Sequence, residues 1–202
     1  MRTLSSLALA ALVTLAATAP FARAQNAEKL QISAFAVSMG TTATGATAVV
    51  DMQITNWSTA AERSRLIATM MEKGPDATLR QLQELPVKGR FRLPALTGPD
   101  PAQLRLGHDL RYAFQTPLED GGRRIVVITD RYIGVSEARN QARTIDYPFT
   151  LIELRVDARG QGTGKMSVAT KITFDKKDQR IELENWSSEP VRLNEVKVSP
   201  KK

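Results

Sequence analysis

From residue 165 to 175 the chain switches between apolar and polar side chains at every step. Met166, Val168, Thr170, Ile172 and Phe174 fall on one side, and Lys165, Ser167, Ala169, Lys171, Thr173 and Asp175 on the other. Successive residues of a strand point to opposite faces, so this run reads as a β-strand with one dry face rather than as a helix. Residues 46–57 repeat the pattern, with Ala46, Ala48, Val50, Met52 and Ile54 opposed to Thr47, Asp51, Gln53 and Thr55. Further strand signals lie at about 29–38, 87–93, 108–116, 123–133, 147–157, 179–186 and 191–198. Asp120-Gly121-Gly122, the stretch from Asp157 to Gly162, and Asp175-Lys176-Lys177-Asp178 supply turn chemistry between neighbours. Such short connections predict an antiparallel meander. Gly160, Gly162 and Gly164 are expected to provide positive φ at one of its hairpins.

One interruption is helical. Thr59 and Glu62 have capping-box spacing, and Leu66, Ile67, Met70 and Met71 then recur at helical intervals before Gly74-Pro75. Asp76 is expected to cap a second, shorter helix carrying Leu79, Leu82 and Leu85 and ended by Pro86. Two apolar stripes must be buried, and one face of the sheet is the surface available. The expected fold is therefore mainly β (β-rich α+β). It is an antiparallel β-sandwich or partly open barrel of about nine strands, with an inserted pair of helices at about 59–85 in a single domain spanning 25–202.

Residues 1–24 read as a signal peptide: Arg2, an apolar stretch from Leu4 to Ala19, Pro20, then Ala22-Arg23-Ala24 as the cleavage site. The expected location after cleavage near Ala24 is periplasmic or secreted, with no transmembrane segment remaining, because the apolar stretch falls short of the roughly 20 residues of a span. The chain contains no cysteine, which excludes disulfides, thiolate nucleophiles and thiolate metal sites, so stability must come from the core. Without the leader, 26 basic residues face 21 acidic ones. This excess is too mild and too dispersed for a nucleic-acid binder.

Both tryptophans sit in similar strings, Ile54-Thr55-Asn56-Trp57-Ser58-Thr59 and Leu183-Glu184-Asn185-Trp186-Ser187-Ser188. Trp57 and Trp186 are either binding platforms or strand-end anchors whose Asn and Ser neighbours make local hydrogen bonds. His108, the only histidine, is expected on one strand face with Leu110, Tyr112 and Phe114, while Asp109 points away and cannot orient its ring. No nucleophile elbow, phosphate-cradling glycine pattern or metal-ligand set is present, so no catalytic residue, metal or cofactor is assigned. The candidate ligand-binding residues are Trp57, His108, Tyr112, Phe114, Asp130, Arg131 and Trp186. Arginines recur at Arg90-Phe91-Arg92, Arg111-Tyr112, Arg123-Arg124 and Arg131-Tyr132. Each is expected on the opposite surface from its aromatic neighbour, which leaves a solvated basic face or a site for an anionic surface rather than a stacking platform for nucleic acid.

The strings Gly121-Gly122-Arg123-Arg124-Ile125-Val126-Val127-Ile128-Thr129-Asp130-Arg131-Tyr132-Ile133 and Ile145-Asp146-Tyr147-Pro148-Phe149-Thr150-Leu151-Ile152-Glu153-Leu154-Arg155 resemble a family of uncharacterised exported bacterial proteins. The resemblance extends through Gly164-Lys165-Met166-Ser167 and Ile181-Glu182-Leu183-Glu184-Asn185. It implies export and a shared fold and carries no activity. The expected function is a non-enzymatic exported β domain that binds or scaffolds in the cell envelope, with an anionic envelope polymer or a small ligand as partner. One alternative is a barrel carrying a small apolar or aromatic ligand against Trp57, Tyr112, Phe114, Phe149 and Trp186. Another is an isomerase- or hydrolase-like enzyme using His108 with Asp130 or Asp146.

Overall fold

In chain order the strands are β1 (Leu30–Ser38), β2 (Thr47–Ile54), β3 (Gly89–Arg92), β4 (His108–Pro117), β5 (Arg123–Thr129), β6 (Leu151–Val156), β7 (Gln161–Ser167), β8 (Ile172–Asp175), β9 (Arg180–Leu183) and β10 (Val191–Pro200). One helix, α1 (Ala60–Glu84), separates β2 from β3. These elements come from a computed structural model that describes residues 28–39, 45, 47–93, 107–131, 133, 149–167, 172–175, 180–183 and 191–201. The leader expected at 1–24, Asp146, Tyr147-Pro148 and residues 184–188 of the second tryptophan string, Trp186 among them, lie outside those residues.

Strands β1 to β7 pair antiparallel with their neighbours in sequence, and β10 joins β7 back to β1. The result is a closed eight-stranded barrel, so the sheet is neither a sandwich nor left partly open. Closure follows from the match of the end strands, which pair from Leu30 opposite Pro200 to Ser38 opposite Val191. β8 and β9 form a separate two-stranded sheet, so the single strand expected at 165–175 is divided between β7 and β8.

The barrel interior is apolar. Leu30, Ile32, Met52, Ile54, Phe91, Leu110, Ile125, Ile152 and Leu154 point inward with no solvent-accessible surface. Eight strands enclose a space that side chains can fill. A ligand chamber would leave its lining accessible to a water-sized sphere, and these linings are not. Gly164 makes room for its cross-strand partner Leu154. A Cβ on it would lie 2.5 Å from Leu154 Cδ2 and 2.7 Å from the Glu153 carbonyl oxygen, so this glycine is required by close approach rather than by its backbone angle. Of the three glycines expected at positive φ here, Gly160 alone has it, at +78°.

Two bulges shift the alternation. Arg111 is the extra residue in β4, between Leu110 opposite Thr129 and Tyr112 opposite Ile128. Leu110 therefore faces the interior while Tyr112 and Phe114 face outward, which corrects the expectation that all three share a face. In β10 the bulge falls at Glu195, whose φ is +50°.

The capping box forms as its spacing predicts: Thr59 N–H donates to Glu62 Oε2 at 2.7 Å and Glu62 N–H to Thr59 Oγ1 at 3.1 Å. Gly74 is the only non-helical residue inside α1, and Pro75 opens the second segment, where its missing N–H costs nothing. Asp76 thus sits inside that segment instead of capping it, and the expected pair of helices meets end to end at the Gly74 kink within α1. Leu66, Met70, Leu79, Leu82 and Leu85 of this region pack on Tyr112, Phe114, Val126, Ile128, Phe149 and Leu151 from the outer face of the wall. The molecule has two apolar layers, one inside the barrel and one between wall and helix. With apolar residues inside and charged ones outside, the barrel is the inverse of a membrane-spanning one.

Candidate functional site

The structure disperses the residues singled out from sequence. Trp57 is buried at one end of the interior cluster, and its Nε1–H donates to the Glu28 carbonyl at 2.7 Å. Ser58 beside it donates its backbone N–H to the Ala113 carbonyl at 2.7 Å and accepts from Ala113 N–H at 3.2 Å through Oγ. This extends the ladder of β4 where the four-residue β3 falls short. Tyr112 and Phe114 stack at 6.3 Å between wall and helix, where Arg63 lies 4.9 Å over the Phe114 ring. Burial pushes the Tyr112 phenol upward, so it stays neutral at any physiological pH. His108 is half-buried at the rim, its ring 6.3 Å from that of Phe91. Asp109 faces away and pairs with Arg90 at 3.8 Å.

Asp130 is held by Arg111, whose Nε donates to Oδ2 at 2.9 Å while its Nη1 donates to the Leu85 carbonyl at 3.0 Å. Because Arg111 is bulged, it and Tyr112 both act on the outer side, contrary to the expectation of opposite surfaces. Arg131 is exposed. Among the described candidate aromatics Tyr112 and Phe114 come together. Of the described aromatics expected to line a cavity, Trp57 joins the interior, whereas Tyr112, Phe114 and Phe149 lie under α1. Among the described residues no group of three or more His, Cys, Asp or Glu side chains is placed to hold a metal ion. Among them, too, no helix is long and apolar enough to cross a membrane.

A different constellation appears once strand register is known. On the outer face Arg124 of β5 stands directly opposite Arg155 of β6, and Lys165 of β7 directly opposite Arg192 of β10. Between these pairs Glu153 of β6 stands opposite Lys165. Adjacent strands lie about 4.8 Å apart, so the four cations lie within three strand spacings, with Glu153 next to Arg124 and Arg155 and opposite Lys165. Arg124 Nη2 donates to Glu153 Oε2 at 2.9 Å, and Arg155 Nε donates to Glu153 Oε1 at 3.1 Å. Both carboxylate oxygens are therefore engaged.

Like charges directly opposite each other on a sheet destabilise it, and this strip contains two such pairs side by side. The electrostatics carry the same sign. Burial raises the Glu153 pKa, but its bonds to Arg124 and Arg155 outweigh burial and hold it below the usual carboxylate value. Burial depresses the Lys165 ammonium; Glu153 opposes this, and the Arg155, Arg124 and Arg192 charges deepen it. Such a strip attracts anions, and guanidinium groups present forks that match carboxylate or phosphate oxygens. The alternation at 165–175 places Lys165 on the polar face, but the pairing across strands that gathers it with Arg124, Arg155 and Arg192 is a property of register.

No family model, curated protein or solved structure matches this chain.

Proposed function

We propose that this protein is an exported, non-enzymatic β-barrel domain that binds an anionic component of the bacterial cell envelope through the exposed Arg155 and Arg192 and the neighbouring Lys165. The observation that carries the reading is the pair of like-charge cross-strand contacts, Arg124 with Arg155 and Lys165 with Arg192, beside the single carboxylate of Glu153, which bonds both members of the first pair and stands opposite Lys165 of the second. A strip of this kind is relieved when phosphate or carboxylate groups settle on it. The leader-like residues 1–24 support export. The interior, whose largest side chains retain no accessible surface, is why the ligand is placed outside the barrel and not in it.

Arg155 and Arg192 are exposed, so their charges can be reversed without disturbing the core. With dextran sulfate as a soluble polyanion probe, affinity is expected to fall steeply with salt and by about tenfold or more in R155E/R192E, each reversal removing a screened contact worth about 1 kcal/mol. Equal binding by the variant and the parent protein at low salt rejects the reading.

A further inference from the structure

The cationic strip does not end at β10. Arg192 stands opposite Val37 of β1, and Val37 opposite Thr47 of β2, so the Lys165–Arg192 row runs directly into a neutral part of the sheet. In the adjoining row Asn194 stands opposite Phe35, and Phe35 opposite Val49. These outward side chains are unusual for the molecule. Phe35 is 41% exposed, Met39 45% and Val49 43%, and they are three of the five large exposed hydrophobic residues among those described. All three fall on the β1–β2 hairpin, beside the basic row. The acidic group nearest in register is Glu153, opposite Lys165 at the far end of the row, and both its oxygens accept from arginines. Asp51, whose carboxylate accepts from Gln31, and Glu195 on the β10 bulge lie outside the Lys165–Arg192–Val37 row.

We infer that the outer face of β7, β10, β1 and β2 docks on the surface of an anionic phospholipid bilayer, with Phe35, Met39 and Val49 entering the headgroup layer and Lys165 and Arg192 meeting lipid phosphates. This rests on the anion-binding reading of the strip and names the source of the anions. A dissolved polymer offers charge alone, whereas a bilayer offers phosphate and an apolar phase within about 10 Å of each other, the combination that interfacial anchors use. A second copy of this chain fits less well, because a two-fold contact through this face would bring Lys165 and Arg192 toward their own equivalents. Aromatic and aliphatic side chains on one convex hairpin are placed to insert shallowly, not to span.

The test is co-sedimentation of the protein with vesicles of phosphatidylcholine alone and of phosphatidylcholine mixed with phosphatidylglycerol, alongside dextran sulfate binding. The parent protein is expected to prefer the phosphatidylglycerol vesicles. The F35S/V49T variant, with an unchanged thermal midpoint, is expected to lose about tenfold in vesicle affinity while its dextran sulfate affinity changes by less than about twofold, since only the apolar contribution is removed. Vesicle binding unaltered by F35S/V49T overturns the inference. So does binding to dextran sulfate without binding to either vesicle, and in that case the anion-binding strip stands. A parent protein that elutes as a dimer, dissociated by F35S/V49T, reassigns the face to self-association. Failure to bind both probes rejects the strip as well.

Discussion

Glu153 and Glu62 show how single carboxylates fasten the outer surface of the barrel. Glu62 belongs to the capping box and also receives Lys88 Nζ at 3.0 Å, and the Lys88 side chain is only 6% exposed. Burial raises the Glu62 pKa, but the Thr59 backbone N–H and the Lys88 ammonium outweigh it and leave the group below its usual value of 4.5, as Glu153 is below the same value. A folded-state pKa below the unfolded one means stability that is present above the unfolded pKa and lost as pH falls through the folded one. The thermal midpoint is therefore expected to decline below about pH 4.5, and the decline should be shallower in E62Q/E153Q. A denaturant titration of E153Q at neutral pH is expected to show a loss of about 3 kcal/mol, the scale for removing one partner of a buried pair. At this scale the sequence is only partly legible. Residue types and mean faces could be read, but one bulged residue, Arg111, reverses the phase of β4, and no alternation rule reveals where a bulge falls.

Among elements, α1 was the most readable, since its start rests on a local bond between Thr59 and Glu62 that needs no tertiary partner. T59A is expected to destabilise the protein by about 1 kcal/mol in thermal or chemical unfolding, because one N–H of the first turn loses its acceptor. The interior of the helix was less readable. The break at Gly74-Pro75 and the second segment under Leu79 and Leu82 follow the sequence pattern, but Gly74 at φ +77° makes the break in a single residue, so that Pro75 and not Asp76 begins the second segment. The β6–β7 turn is a second local device: Asp157 Oδ1 accepts from the N–H groups of Arg159 at 2.8 Å and Gln161 at 2.9 Å. Gly160 there has positive φ, and a Cβ on it would lie 2.3 Å from the Val198 carbonyl. G160A is expected to cost at least about 1–2 kcal/mol from the backbone angle alone, measurable as a lowered denaturant midpoint with an unchanged slope.

For the molecule as a whole, the strand count and antiparallel order could be anticipated, because hairpin-length turns leave few alternatives to a meander. Closure could not, since alternation is the same in a sandwich and a barrel and differs only in whether β1 meets β10. The two apolar layers share one wall: β4, β5 and β6 present Leu110, Ile125 and Ile152 inward and Tyr112, Ile128 and Leu151 outward. F91A in the interior and L82A under the helix should therefore lower a single cooperative transition, each by about 3–5 kcal/mol, with far-ultraviolet and near-ultraviolet dichroism melting together. Two separate transitions would mean that the layers fold independently. The seam has its own kinetic meaning. Lys201 N–H donates to the Lys29 carbonyl at 2.7 Å, so the last ladder to close joins segments some 170 residues apart in the chain. Until β10 is in place, β1 has one flank without its mate, so native closure waits on the pairing that spans the longest stretch of chain. Slow maturation, and sensitivity to deletion of Val191–Pro200, are built into such a ring.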